Sequence, residues 1–453
     1  MKTVTQIEHA IQQLFVMADH LAKESGFVQR ERVGKFTGKS FVATLVFGLM
    51  QRGVVSLRSL GPFARHLRVK VTSQAVDERL GEVAARFLQA LLNLAFTLVV
   101  SADPVAIPLL QRFREVIVED SSTFALPDGL KGLWAGCADG ARAGTQAALK
   151  VQVRWELLCG TLQALGLQAG KQSDQRSPFK HVRRGSKSLR IADLGYFDTH
   201  QFQEESEAGE YFLSRLKVGQ LQFFDEQAEP LDLQVLLREK AQTGSYECQI
   251  QVGANRRLPV RLIAIPVPEA VAIKRRADLR RKAQKHSRPV NAQLLDLAQW
   301  TLLVTNVPAW LLSIQEAMIL LRLRWQIELL FKLWKQEAGR DDARSHEPWH
   351  LLCEFYAKLL GMLIVHWLFI VGCWNLPSRS MVQAAQTIRS QAVLLAKAVG
   401  GKLDLHWLLE EITADLDACH MDSRRKDPHT YQLLLAAESF PSQTPARLSE
   451  GFT

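Results

Sequence analysis

The chain has few cysteines, and none is placed for a metal site or a disulfide framework. Cys137, Cys159, Cys248, Cys353, Cys373 and Cys419 form no C-x-x-C pair and have no histidine at zinc spacing, so neither structure is indicated. That usage suits a reducing compartment. The N-terminal MKTVTQIEHAIQQLF carries Glu8 early and has no signal-peptide cleavage pattern; a cytoplasmic protein with no export is expected. Low-complexity tracts are absent as well. The most apolar run, Leu351 to Trp374, has Glu354 and Lys358 in its first turns, leaving sixteen uncharged residues. A membrane span needs about 18 to 20, so a buried core helix is expected there.

At 453 residues the chain exceeds the size at which single cores stop growing, and two or three structural units are expected. Its 47% hydrophobic and 23% charged residues are ordinary for a globular protein. Lysine and arginine total 56 against 46 acidic residues, a net charge of +10. An acidic partner follows, but net charge alone does not separate nucleic acid from an anionic membrane.

Local clustering is more informative. From Leu320 to Gly339, LLRLRWQIELLFKLWKQEAG, one helix places Arg324, Glu328 and Lys335 within roughly 40° of each other. Leu320, Leu323, Ile327, Leu330, Phe331 and Trp334 flank that stripe on one side, and Trp325, Leu329 and Leu333 on the other. A helix apolar on nearly all sides is buried, and buried charge costs several kcal/mol without compensation. The stripe therefore faces a partner, the plainer alternative being an internal Arg324–Glu328 pair.

The first 110 residues read as helices, with apolar positions at helical spacing through Ile7, Ile11 and Leu14, then Phe41, Leu45 and Leu49. Within them, a helix ending near Leu67 is followed by a turn and by Thr72 or Ser73 as a cap. That spacing suits a helix-turn-helix offering Ser73, Gln74, Asp77 and Arg79 to base edges, although plain helical pairs share it.

From Arg114 the period changes to that of strands. Val116, Ile117 and Val118 lead to Glu119 and Asp120; Leu149 to Leu167 reads as two antiparallel strands; Leu189 to Ala192 ends at Asp193. Glu119 and Asp198 are alternative carboxylates, with solvated surface as their commoner fate. Lys171 to Lys187 reads as a basic surface segment, and Gly209 to Gly219 as another strand. Val218 to Trp300 then forms a β-rich insertion. Within it, Lys274 to Arg288 holds eight lysines or arginines, including Lys274, Arg275, Arg276, Arg280, Arg281 and Lys282, and one aspartate. A charge run is usually a solvated face; beside candidate catalytic carboxylates it reads as a phosphate-contacting element.

Two aspartates at strand ends and a glutamate on a later helix have the order of a ribonuclease-H-like α/β core. Three converging carboxylates supply the hard oxygen ligands of paired Mg²⁺ ions, without histidine. RWQIELLFKLWK resembles the R-x3-E-x6-K part of the Y-x2-R-x3-E-x6-K signature of bacterial DDE transposases of the insertion-sequence-four type. Arg324, Glu328 and Lys335 match it residue by residue, and Asp120 in VEDSS and Asp193 in ADLGYF resemble the family's first two acidic residues. Leu321 departs from it, standing at the signature tyrosine.

The resemblance implies a magnesium-dependent enzyme, with Mn²⁺ able to substitute, that nicks DNA at inverted-repeat ends and transfers the freed 3′-OH to target DNA. Asp120, Asp193 and Glu328 would be the metal ligands, and Arg324 and Lys335 would hold phosphate. It also implies a homodimer that brings two transposon ends together, and a place for Trp300 beside an extruded base, for which a core position is the commoner reading. The implied organisation is a helical end-binding domain (1–110), a catalytic core (111–217 and 301–345) interrupted by the insertion (218–300), and a C-terminal helical region (346–453). A catalytically inactive DNA-binding descendant and a metal-dependent nuclease without strand transfer are the two alternatives.

Overall fold

A computed structural model describes residues 2–30, 34–52, 57–137, 146–219, 221–240, 244–287, 289–338, 347–376, 378–421 and 430–437. Gly339, Arg288, a polar break expected at Ser423 to Pro428 and a Ser/Pro-containing tail expected at Ser439 to Pro445 lie outside these residues.

Five helices come first: α1 (Lys2–Glu24), α2 (Gly38–Arg52), α3 (Leu57–Ala64), α4 (Ser73–Asp77) and α5 (Glu82–Ala95). Next are α6 (Pro108–Gln111), β1 (Val116–Leu126), β2 (Ala147–Glu156), β3 (Leu162–Ala169), β4 (Leu189–Ala192), α7 (Thr199–Glu207) and β5 (Tyr211–Arg215). Residues 218–300 contribute β6 (Phe223–Phe224), α8 (Leu233–Lys240), β7 (Tyr246–Val252), β8 (Leu258–Pro266), α9 (Glu269–Lys285) and α10 (Ala292–Leu297), before β9 (Trp300–Thr305). Helices α11 (Ile314–Ala338), α12 (Pro348–Cys373), α13 (Met381–Ser390), α14 (Ala392–Val399), α15 (Leu405–Asp415) and α16 (Thr430–Leu435) follow.

The chain divides into two compact units, one of residues 1–106, 121–172 and 328–425, the other of 107–120, 173–327 and 426–453. In the second unit the strands run in the order β1-β4-β5-β9-β8-β7-β6. The β1–β4 and β4–β5 pairings are parallel, and those from β5 through β9 to β6 are antiparallel. The strands β6, β7 and β8 thus extend the same sheet, while the basic run is a helix, α9. Phe202, Phe212, Leu233, Leu237, Val260, Leu262 and Val304 form the core there.

In the first unit, the second half of β1 lies in the order β1-β2-β3, and β2 and β3 pair antiparallel. Ile7, Ile11 and Leu14 of α1 and Phe41, Leu45 and Leu49 of α2 are buried, at the spacing that puts them on one face. Among the described residues α12 is the one helix long and apolar enough to cross a membrane, and its 26 residues exceed the sixteen counted from charge. Its place is decided by packing: 94% of the apolar window is buried, against α2, α5, α13 and α15. The β2–β3 turn meets this helix. Gly160 there has φ +75°, and a Cβ would fall 2.6 Å from the Trp374 ring, so both backbone and space demand glycine. The Gly160 carbonyl accepts from Trp155 Nε1 at 2.9 Å and from His366 Nε2 at 2.7 Å. Since a carbonyl only accepts, His366 carries its hydrogen on Nε2.

Candidate active site

The parallel register of β1 and β4 sets the site. Val118 is opposite Ile191 and Glu119 opposite Ala192, so the next step brings Asp120 level with Asp193. Side chains alternate along a strand; both aspartates therefore leave the same face. Asp120 is not the tip of its strand, as the sequence suggested. β1 continues to Leu126, and it is β4 that stops, at Ala192, releasing Asp193 into an extended residue (φ −75°, ψ 167°) before a short 3-10 turn.

Arg324 of α11 touches both carboxylates. Its Nη1 lies 3.4 Å from Asp120 Oδ2 and its Nε 3.6 Å from Asp193 Oδ1. These side chains keep limited access to solvent, 12% for Arg324, 15% for Asp120 and 40% for Asp193, as a site that must admit a ligand requires. The helix is phased by its start. Ser313 and Glu316 form a reciprocal cap: the Ser313 N–H donates to Glu316 Oε2 at 2.8 Å and the Glu316 N–H to Ser313 Oγ at 3.3 Å. Arg112 Nη2, 2.8 Å from Glu316 Oε1, anchors that cap. Burial would raise the Glu316 pKa, but the Arg112 and Ser313 hydrogen bonds outweigh it and hold the carboxyl below its ordinary value. Fixing the first turn fixes the azimuth of Arg324 downstream.

Glu328 follows Arg324 by one turn, about 6 Å along the same face, and is half-buried. Lys335 is exposed, with its ammonium 5.6 Å from the centre of the Phe124 ring. Leu321 is 1% exposed and packs inward. Two hard carboxylates around one guanidinium make a place where cationic charge is already accommodated, which fits a divalent cation with oxygen preference. Among the described residues no three His, Cys, Asp or Glu side chains are gathered as a metal-ligand set.

The alternative carboxylates are committed elsewhere. Glu119 is 1% exposed, on the opposite face from Asp120, with Arg184 Nη1 at 3.8 Å and Arg190 Nη1 at 3.9 Å. Asp198 caps α7, accepting from the His200 N–H at 2.9 Å, and takes a 2.5 Å bond from Lys180 Nζ. Burial opposes its charge, yet Lys180 and the helix N–H groups prevail and lower its pKa. Sequence reasoning missed the fate of Arg184 and Arg190. Arg184 sits in a segment read as surface yet its side chain is 3% exposed; the only hint was an arginine inside the apolar run LRIA.

Residues 111–364 match the family model described as the transposase DDE domain. The chain belongs to that family. Among curated relatives it is 25% identical over 368 residues to the transposase for insertion sequence element IS1151 of Clostridium perfringens, covering 76% of each chain. It is also 25% identical over 371 residues to the transposase for IS231F of Bacillus thuringiensis subsp. israelensis, again over 76% of both. A putative transposase InsL for IS186A of Escherichia coli is 28% identical over 184 residues, 39% of this chain and 50% of that one. Among solved structures there is a distant likeness to a piggyBac transposase synaptic complex with hairpin DNA, with TM-score 0.43 and 9% identity over 95% of this chain and 84% of that one.

In this transposase the basic helix α9 divides its cations between structure and surface. Arg275 donates to the Trp300 carbonyl and Thr301 Oγ1, and burial lowers its pKa. Arg276 donates to the Leu295 carbonyl and pairs with Glu269. Arg281 pairs with Asp278 at 2.8 Å, and Arg280 is exposed. Lys274 and Lys282 line a cavity of ≈ 430 Å³ with Trp300, Leu194, Leu216 and Leu294. Leu194, the residue after Asp193 in the chain, is among the lining residues. Trp300 is half-buried on its wall, between the core and ligand roles weighed for it. The candidate helix-turn-helix residues start a shorter element than expected: α4 has five residues, capped by Thr72. Ser73 and Gln74 occupy its first turn. Arg79 turns inward, its guanidinium 5.5 Å from the Phe27 ring centre, and Asp77 Oδ1 lies 3.5 Å from His350 Nδ1.

Proposed function

We propose that this chain cleaves DNA at the inverted-repeat ends of an insertion sequence and joins the freed 3′-OH to target DNA, with Mg²⁺, or Mn²⁺ in its place, held by Asp120, Asp193 and Glu328. The observation that carries this reading is the contact of one arginine of the R-x3-E-x6-K helix with both aspartates. Strand order supports a ribonuclease-H-like core: β1-β2-β3 in one unit and β1-β4-β5, parallel, in the other. Bound there, a pair of divalent ions would activate the attacking oxygen and stabilise the leaving one.

The protein's own contribution is to place and neutralise phosphate. Arg324 presents a planar fork suited to a phosphodiester, and Lys335 offers an exposed ammonium eleven residues on. Lys274, Arg280, Arg281 and Lys282 extend the cationic surface along flanking DNA, while Arg275 and Arg276 contribute charge from fixed positions. Ser73, Gln74 and Arg79 belong to the end-recognition region. Two ends require two copies of the chain, so the working assembly is a homodimer.

The test is cleavage and strand transfer on the DNA flanking the gene, comparing wild type with Asp120→Asn and Glu328→Gln. Mg²⁺-dependent joined product from wild type, lost in both variants while DNA binding remains, supports the proposal. Cut ends without joining indicate a nuclease, and salt-sensitive binding with neither product indicates a DNA-binding descendant.

A further inference from the structure

On the face of β1 and β4 opposite the two aspartates lies a buried ion network: Glu119, Arg190, Glu205, Arg184 and Glu210. Arg190 Nε is 2.6 Å from Glu205 Oε1, and Arg184 Nη2 is 2.5 Å from the same oxygen and 2.7 Å from Glu210 Oε2. Glu210 also accepts from the N–H groups of Arg184 at 2.6 Å and Gly185 at 3.0 Å. Every side chain in the set is at most 3% exposed. We propose that this network fixes the register of β1 against β4, which makes Glu119 and Arg190 positioning residues for the reaction assigned above.

Three features carry the inference, which rests on Asp120 and Asp193 being the metal-binding pair. First, Val116, Ile117 and Val118 are all apolar and all buried. A strand apolar on both faces does not encode its own register, because a slipped pairing buries the same surface. Second, an ion network is specific where the apolar run is not. Arg190 is paired with Ile117 in the ladder, and its Nη1 reaches diagonally to Glu119, 3.9 Å away. A shift of one residue sends Glu119 to the other face, away from Arg190. Third, stability does not explain these charges. Buried ion pairs are often no more stabilising than apolar side chains of similar volume, whereas a one-residue slip here would separate Asp120 from Asp193. Glu205 on α7 and Glu210 before β5 hold the two arginines from behind, so that β4 is fixed to its neighbours as well as to β1.

The experiment compares full-length wild type, Glu119→Gln and Asp120→Asn for Mn²⁺ binding by calorimetry, thermal midpoint, and kcat and KM on end DNA. The expected result for Glu119→Gln is a folded protein with Mn²⁺ affinity and kcat each lowered about tenfold and KM for DNA unchanged. A lowered midpoint with wild-type Mn²⁺ affinity and kcat would make the network merely structural and overturn the proposal. Should Glu119→Gln fail to fold, Glu119→Asp keeps the charge but shortens its reach; that variant, folded and binding Mn²⁺ as wild type does, would equally overturn it. If wild type and Asp120→Asn bind Mn²⁺ alike, the metal-site reading itself fails. Loss in Asp120→Asn with no change in Glu119→Gln refutes only the positioning role.

Discussion

Replacing Arg324 with methionine removes the guanidinium while keeping much of the side chain's length, and it should tighten metal binding while it slows the reaction. Arg324 lies 3.4 Å from an Asp120 oxygen and 3.6 Å from an Asp193 oxygen. At an effective dielectric constant near 20, each contact is worth about 5 kcal/mol before solvation is counted. Both distances exceed a good charge-assisted hydrogen bond, and Asp193 is 40% exposed, so each pair is nearer the exposed-pair range of roughly 0.5 to 1 kcal/mol. A divalent cation that uses these carboxylates must share them with the guanidinium or displace it. Removing about 1 to 2 kcal/mol of competition raises metal affinity by roughly 5- to 30-fold, since 1.4 kcal/mol is tenfold. Calorimetric titration of the full chain with Mn²⁺ at 0.15 M salt reads that change directly. Cleavage of end DNA should fall at the same time, because the variant has no guanidinium to hold the phosphate. Unchanged or weaker Mn²⁺ binding in the variant would refute the competition on which this reasoning rests.

Neutralising Lys274 and Lys282 together as glutamines should reduce the slope of log affinity against log salt by roughly 0.9 for each DNA phosphate that a lysine had neutralised; an unchanged slope would return both lysines to solvent. Leu321→Tyr should cost about 1 to 3 kcal/mol of stability by overpacking, because this side chain is 1% exposed. Denaturant titration checks that cost, and an unchanged midpoint in the variant would contradict it. Burial pushes the His366 pKa down to about 4, the hydrogen bond to the Gly160 carbonyl opposing only in part. The unfolded chain takes up this proton near pH 6.5 and the folded chain only near 4. The resulting destabilisation is absent above pH 6.5, grows as pH falls and levels off at about 3 kcal/mol. Urea unfolding at pH 7 and pH 4.5 should show a steeper acid loss in wild type than in His366→Gln; parallel losses would refute it.

Much of the candidate site was legible because its signals are local. The stripe of Arg324, Glu328 and Lys335 follows from helical geometry, and the aspartates stand out as charges placed after apolar strand runs. Leu189 to Ala192 was readable as a strand ending at Asp193 for the same reason. Glu119 was not separable from Asp120 by sequence, since adjacent residues differ only in the face they take. The basic run was readable as cationic, but not as a helix in which Arg275 is committed to Trp300 and Thr301 while Lys274 and Lys282 face a cavity. Counting uncharged residues underestimated α12, because Glu354 and Lys358 pair with each other at 2.5 Å and leave the helix free to continue.

The sequence by itself determined the vocabulary of the candidate site: which carboxylates and cations occur, at what helical or strand spacing, and in what order along the chain. It also determined the helical character of the first hundred residues, through period alone. Tertiary structure decided which of two neighbouring acidic residues meets Arg324, which arginines are buried, and that Arg324 joins Asp120 to Asp193 across 204 and 131 residues of chain. Spacing along one element is fixed by backbone geometry, whereas the choice of face and register depends on partners that are distant in sequence. Here those partners are β4 beside β1, and the charges that hold the two strands in step.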